Sequence, residues 1–191
     1  MKANLYDFDR TAFPIDSGFA FWRYCLRRKI SLIRYLPRQM AGLFEYVYGS
    51  PENRSRDKAK IYSFLQAIDG EQYVKDFWDK NRGRICEFFR PENREYPAVV
   101  CSASPDFLLR PICDELHVDT LLATIVDIKT GVLDGDTCKR QEKVRRIKET
   151  VPDYEFVNVY SDSLKNDLPI LLLGERAFYT RRGVVKEISV K

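Results

Sequence analysis

Residues 5–11 read LYDFDRT, an apolar run that closes on two carboxylates, Asp7 and Asp9. Alternation along an extended chain sends both side chains to the same side. Two such anions so close cannot both stay ionised unless a cation lies between them. The stretch therefore reads as a short buried strand ending in polar chemistry, and the partners of its acids have to come from elsewhere in the chain.

Outward from that strand the hydrophobic period changes twice. From about Ser17 to Arg90, apolar and aromatic residues recur at steps of three and four, as in Phe19, Trp22 and Leu26 or Ile61, Phe64, Leu65 and Ile68. That is the spacing of amphipathic helices. Pro37, the run GSPENRS at 49–55, Asp69 with Gly70, and Arg90 with Pro91 punctuate the segment. Beyond Pro97 the buried run AVVCSAS precedes a helical PDFLLRPICDEL, then LLATIV, a turn-rich TGVLDGD, a basic helix KRQEKVRRIKET and a second buried strand EFVNVYSD. LLLGERAFYTRRG and VVKEISV read as closing and edge strands. Strands alternating with helices predict an α/β fold, a Rossmann-like parallel sheet covered on both faces. Residues 1–15 and 91–191 form its core, and an all-helical cap over 16–90 is inserted between the first two strands.

Composition narrows the classes. A chain of 191 residues, 45% apolar, buries a real core. It lacks a long uncharged apolar run and an N-terminal leader pattern, so a cytoplasmic protein is expected. Five scattered cysteines and a single histidine, His117, argue against a disulfide framework or a Cys/His metal site. Residues 14–90 carry fifteen Lys and Arg against nine Asp and Glu, a net of +6 within a chain of net +4. A basic insert on a slightly acidic body suits an anionic ligand, although solvated helix faces give the same count.

In open parallel sheets ligands bind beyond the carboxyl ends of the strands. Three strands here end in residues suited to phosphate: Asp7 to Thr11, Ser102 to Ser104, and Ser161 to Ser163 with Asp167 beyond. Paired carboxylates on such ends call for a hard, oxygen-liganded cation such as Mg²⁺. One carboxylate then attacks phosphorus while the other moves a proton, and hydrogen-bond donors and a lysine offset the charge. Lys143 suits the lysine role better than Lys139, because it lies inside a helix with Val144 and Ile147 on the apolar side.

DFDRT, the serine of CSAS, the lysine of EKVRR and the acidic SDSLKND resemble, in order, the four motifs of the haloacid dehalogenase superfamily. SAS, KVRRIKE, NDLPILLL and the long helical first gap are similar to its phosphoserine-phosphatase-like branch. The resemblance spans about residues 3–175. It implies a phosphatase in which Asp7 is the nucleophile, Asp9 the general acid and base, and Thr11 a support of the turn. Ser102 and the amide of Ala103 would bind phosphate oxygens, and Lys143 would hold Asp7 and the phosphate together. Asp7, the backbone carbonyl of Asp9, Asp162 and Asp167, with Asn166 nearby, would surround Mg²⁺. Small phosphorylated metabolites are the implied substrates, with no membrane partner.

The chain departs from that pattern at Arg10, where the family usually has glycine and where a guanidinium beside the site either contacts substrate or points to solvent, and at Ser161, another common glycine position. Asp16 lies about where phosphoserine phosphatases carry a glutamate that reads the substrate amine, and Arg54 and Arg56 lie near a carboxylate-reading arginine. Taken singly, these residues are ordinary turn acids, solvated arginines or helix caps; Ser104, ahead of Pro105, reads as a cap. The aromatics Phe19, Phe21, Trp22, Tyr24, Tyr35, Phe44, Tyr46 and Tyr48 read mainly as helix packing, with a few lining the cleft. Rival readings are a phosphotransferase on the same scaffold and a non-catalytic anion or nucleic-acid binder, whose affinity would fall steeply with salt.

Overall fold

The computed structural model describes residues 1–48 and 59–190. Arg54 and Arg56, with all of the 49–55 punctuation, lie outside the described residues. β1 (Lys2–Tyr6) is buried from its second residue onward and occupies the middle of a seven-stranded sheet. In chain order the other strands are β2 (Ala98–Pro105), β3 (Thr120–Val126), β4 (Leu133–Asp134), β5 (Glu155–Ser161), β6 (Gly174–Arg181) and β7 (Val184–Ile188). The spatial order is β4-β3-β2-β1-β5-β6-β7. The five inner strands run parallel. The two edges are antiparallel, so the sheet is mixed, where the sequence predicts a parallel one. At the β6–β7 edge the reason is local. Arg182 and Gly183 both have positive φ, 52° and 81°, which makes the tight two-residue connection that only antiparallel neighbours accept.

Helices cover both faces. α1 (Ser17–Arg28), α2 (Leu36–Tyr48) and α3 (Gly70–Asn81) lie between β1 and β2, joined by 3-10 turns at Ile30–Tyr35 and Ser63–Ala67. Asp16 caps α1 by accepting from the Phe19 amide, and Asp69 caps α3 through Gln72. Pro37 stands in the first turn of α2, where its missing N–H costs nothing. α4 (Asp106–Glu115) joins β2 to β3, α5 (Gln141–Thr150) leads into β5, and α6 (Leu164–Leu171) follows it.

Two apolar clusters sandwich the sheet. One, rich in aromatics, runs without a break from Tyr6 and Phe8 through α4 into Phe21, Phe64, Phe77 and Trp78 of the inserted helices. Trp78 meets Phe8, Phe13 and Phe77 edge-on, and its indole N–H donates to the Leu108 carbonyl at 2.6 Å. The other cluster is mainly aliphatic, with Ile147, Ile170 and Leu171 from α5 and α6. The turn after β3 also braces the insert. A Cβ at Gly131, whose φ is +74°, would come within 2.5 Å of the Tyr62 carbonyl oxygen, so the backbones meet where only glycine fits. All five cysteines are free and buried, and His117 is exposed.

Candidate active site

Chain order reverses at β1, with β2 on one side and β5 on the other, so a crevice forms beyond the carboxyl ends of these three strands. Tyr6 is held in register between Val100 and Tyr160, and the Asp7 amide donates to the Tyr160 carbonyl at 2.9 Å. Asp7 therefore leaves the sheet in a fixed direction. Lys143 lies with Ile147 on the buried face of α5, and its Nζ sits 2.8 Å from Asp7 Oδ1 and 2.9 Å from Asp167 Oδ1. Ser161 Oγ donates to Asp167 Oδ2 at 2.8 Å and accepts from the Ser163 amide at 3.0 Å. A continuous polar chain thus runs from Asp7 through Lys143 and Asp167 to Ser161, with each side chain almost wholly buried.

Burial sets the electrostatics. It pushes Asp7 up to about 7; Asp167 and Asp9 add to the rise, and the Lys143 ammonium opposes it. For Lys143 burial works against the charge, yet Asp7 and Asp167 outweigh it and hold the amine well above its ordinary value. Burial also raises Asp162, against the pull of Arg10. Asp9 is pushed up to about 6 by burial and by Asp16, while hydrogen bonds from Ser104 and Ser17 draw it down.

Asp7, Asp162 and Asp167 each offer a carboxylate oxygen, all within 4.8 Å of one another. Three acids converge where one ammonium is bonded, and every donor in the trio is a hard oxygen, so the residues fit Mg²⁺. The Asp9 carboxylate lies outside the trio. It accepts from the Ser17 amide at 2.8 Å and from the Ser104 hydroxyl, which leaves its backbone carbonyl as the group the resemblance assigns to the metal.

The remaining expected residues divide. Ser102 is buried and accepts from the Ser104 amide at 3.2 Å, and the Ala103 carbonyl accepts from Thr124 Oγ1 at 2.8 Å. Thr11 is fully buried; its amide closes the turn onto the Phe8 carbonyl, while its hydroxyl has no hydrogen-bond partner among the described residues. Asp16 is engaged at the N-terminus of α1, 2.8 Å from the Phe19 amide. Arg10 is exposed with φ +59°, the backbone region that explains why glycine is usual there.

Ser17 has no site role in the sequence reading, and Ser104 and Ser161, read there only as strand-end or cap residues, take a different role. Ser17 and Ser104 hold Asp9 and bond each other at 3.2 Å, and Ser161 holds Asp167. Ser104 is not the cap of α4: Pro105 occupies that position, with no side-chain cap. Strand alternation puts Ser102 and Ser104 on the same side of β2, and that signal could have found Ser104.

Comparisons with known proteins agree with this architecture. A family model described as haloacid dehalogenase-like hydrolase matches residues 5–172. Protein CicA of Caulobacter vibrioides is 26% identical over 200 aligned residues, covering 93% of this chain and 86% of that protein. A protein of unknown function from Bordetella pertussis Tohama I shares the fold with a TM-score of 0.66 at 20% identity, over 92% of this chain and 88% of that one. A phosphoserine phosphohydrolase-like protein from Francisella tularensis shares it with a TM-score of 0.59 at 16% identity, over 93% and 86%.

Proposed function

From the premise that the chain belongs to the haloacid dehalogenase-like hydrolases, we propose that it is a Mg²⁺-dependent phosphomonoester hydrolase acting through a phosphoaspartate on Asp7. The observation that carries the reading is the bonded set of Asp7, Lys143 and Asp167 beside Asp9. A buried carboxylate fixed by an ammonium is poised to attack, and a second carboxyl stands near enough to move a proton.

Asp7, Asp162 and Asp167 would hold Mg²⁺, which supplies charge neutralisation on the phosphoryl oxygens. In the first step an Asp7 oxygen bonds to phosphorus as the bond to the leaving oxygen breaks, and the Asp9 carboxyl gives its proton to that oxygen. Held up to about 6, Asp9 has the affinity for a proton that this step needs. In the second step a water oxygen bonds to phosphorus, Asp9 takes the water proton, and the bond to Asp7 breaks to release phosphate. Ser17 and Ser104 orient Asp9 for both steps. Ser102 and the Ala103 amide receive the phosphoryl oxygens, and Lys143 fixes Asp7 throughout. Residues 16–90 act as the cap that receives the leaving group.

The test is phosphate release from a panel of phosphomonoesters with Mg²⁺ and with EDTA. Release in Mg²⁺ alone, its loss in Asp7→Asn, and an acid-quenched phosphoryl adduct on the Asp7 peptide are the expected results. Undiminished turnover in Asp7→Asn would overturn the mechanism.

A further inference from the structure

The residue that protonates a leaving oxygen must lie against it, so Asp9 marks where the leaving group departs. Of the clefts that meet at Asp16, a basic one lined by Arg23, Arg27, Lys80 and Arg84 holds neither Asp9 nor the acidic trio, and two reach the site. One is lined by Arg10, Arg181 and Arg182 and opens beside Asp162, on the side of the acidic trio. The other, of about 450 Å³, begins at Asp9, Ala103 and Ser104 and runs outward between α1, α2 and residues 61–64. Its size is that of a pocket for a sizeable organic group. Its walls are Phe21, Trp22, Met40, Leu43, Phe64 and Phe107.

Beyond the reaction centre the polar side chains of this groove are Asp16, Gln39 and Tyr62. Asp16 is engaged as the cap of α1. Gln39 accepts from the Trp22 indole at 3.1 Å and donates to the Ile61 carbonyl at 2.9 Å. Among the described residues no lysine or arginine lines the groove, so a carboxylate placed against these walls would lose its hydration without gaining a counter-charge from them. The mouth stays apolar: Met40 and Leu43 are 60% and 46% exposed, and Phe44 beside them is 65% exposed.

We propose that this groove carries an apolar leaving group, which makes the substrate class phosphate monoesters of alkyl or amphiphilic alcohols in preference to amino-acid phosphates. The proposal rests on the phosphatase reading above, so turnover and binding are tested separately on the full chain with Mg²⁺. Turnover uses ethyl, butyl, hexyl and octyl phosphates and phosphoserine; binding uses the matching alkylphosphonates, followed by calorimetry. The expected kcat/KM climbs by about fourfold for each methylene that becomes fully buried, phosphoserine falls below butyl phosphate, and phosphonate affinity climbs in parallel. Leu43→Glu, a change on the half-exposed rim, flattens both slopes while the far-ultraviolet circular dichroism stays unchanged.

Turnover with a flat or falling series, or a preference for phosphoserine, overturns the groove and leaves the phosphatase reading standing. Phosphonate affinity that climbs without any turnover does the reverse. Neither turnover nor binding sinks both, and slopes unmoved by Leu43→Glu place the apolar group elsewhere and overturn this one.

Discussion

On one side of Asp9 charges are buried and linked to one another; on the other an apolar groove reaches solvent. The polar side is built from strand ends and the inner face of α5, where Asp7, Lys143, Asp167 and Ser161 bond in sequence. The apolar side is built from the inserted helices, whose aromatic residues line a cleft open to water. The contrast teaches that the two halves of a phosphomonoester meet different solvents here. The phosphoryl group faces fixed charge in a low-dielectric setting, where such interactions are strong. The leaving group faces carbon. Asp9 stands on the boundary, with its two serines reaching it from α1 and β2.

The sharpest way to break this contrast is at the boundary itself. Asp9→Asn keeps the shape and removes the proton, and kcat is expected to fall by about 10²–10⁴-fold, measured as phosphate release with Mg²⁺. A smaller loss would mean that the leaving oxygen finds its proton elsewhere. The apolar side is tested by Trp78→Ala, which opens a hole among Phe8, Phe13 and Phe77. Urea unfolding should show a loss of about 3–5 kcal/mol, and a loss below about 1 kcal/mol would mean that the insert is not anchored there.

The outer edge of the polar side gives a weaker, pH-dependent effect. Arg145 and Arg146 hold Glu142 down to about 2, below its unfolded value. Its folded pKa is depressed, so the stabilisation is present above the ordinary carboxylate range and is lost as pH falls through about 2. Glu142→Gln should therefore be less stable than the parent near neutrality and converge with it towards pH 2. Parallel curves over that range would contradict the assignment. The smallest expected effect is that of Arg10→Gly. It relieves a positive φ but frees the unfolded chain, so stability should shift by less than about 1 kcal/mol. The loss of a cation near Asp162 should appear instead in the pH dependence of Mg²⁺ affinity.

The polar half was largely legible because strand-end chemistry leaves a local signature. DFDRT, the serine of CSAS and the acids of SDSLKND lie next to buried runs, and Lys143 is marked by its i,i+4 partner Ile147. The groove was legible only as a few cleft-lining aromatics, with no sign of which. Phe21, Trp22 and Phe64 have the same spacing whether they fill a core or line a cleft, because periodicity identifies a face but not what lies against it. Phe21 and Phe64 in fact do both, belonging to the apolar cluster and to the groove. Edge polarity was hidden for a related reason: β-propensity does not encode strand direction, and the Arg182–Gly183 turn settles it only once both φ values are known. Ser104 was misread because a serine ahead of a helix is a common cap, and only the fold brings Asp9 to it.

The apolar cluster that runs unbroken from β1 into α3, fastened by the Trp78 indole, has a consequence for traffic. A helical layer welded to the sheet in this way is a wall and not a hinged door, since swinging it aside would drag Trp78 and its aromatic neighbours into water. The groove proposed for the leaving group keeps its mouth beside Met40 and Leu43 without any helix moving, so a long tail can project from it into solvent.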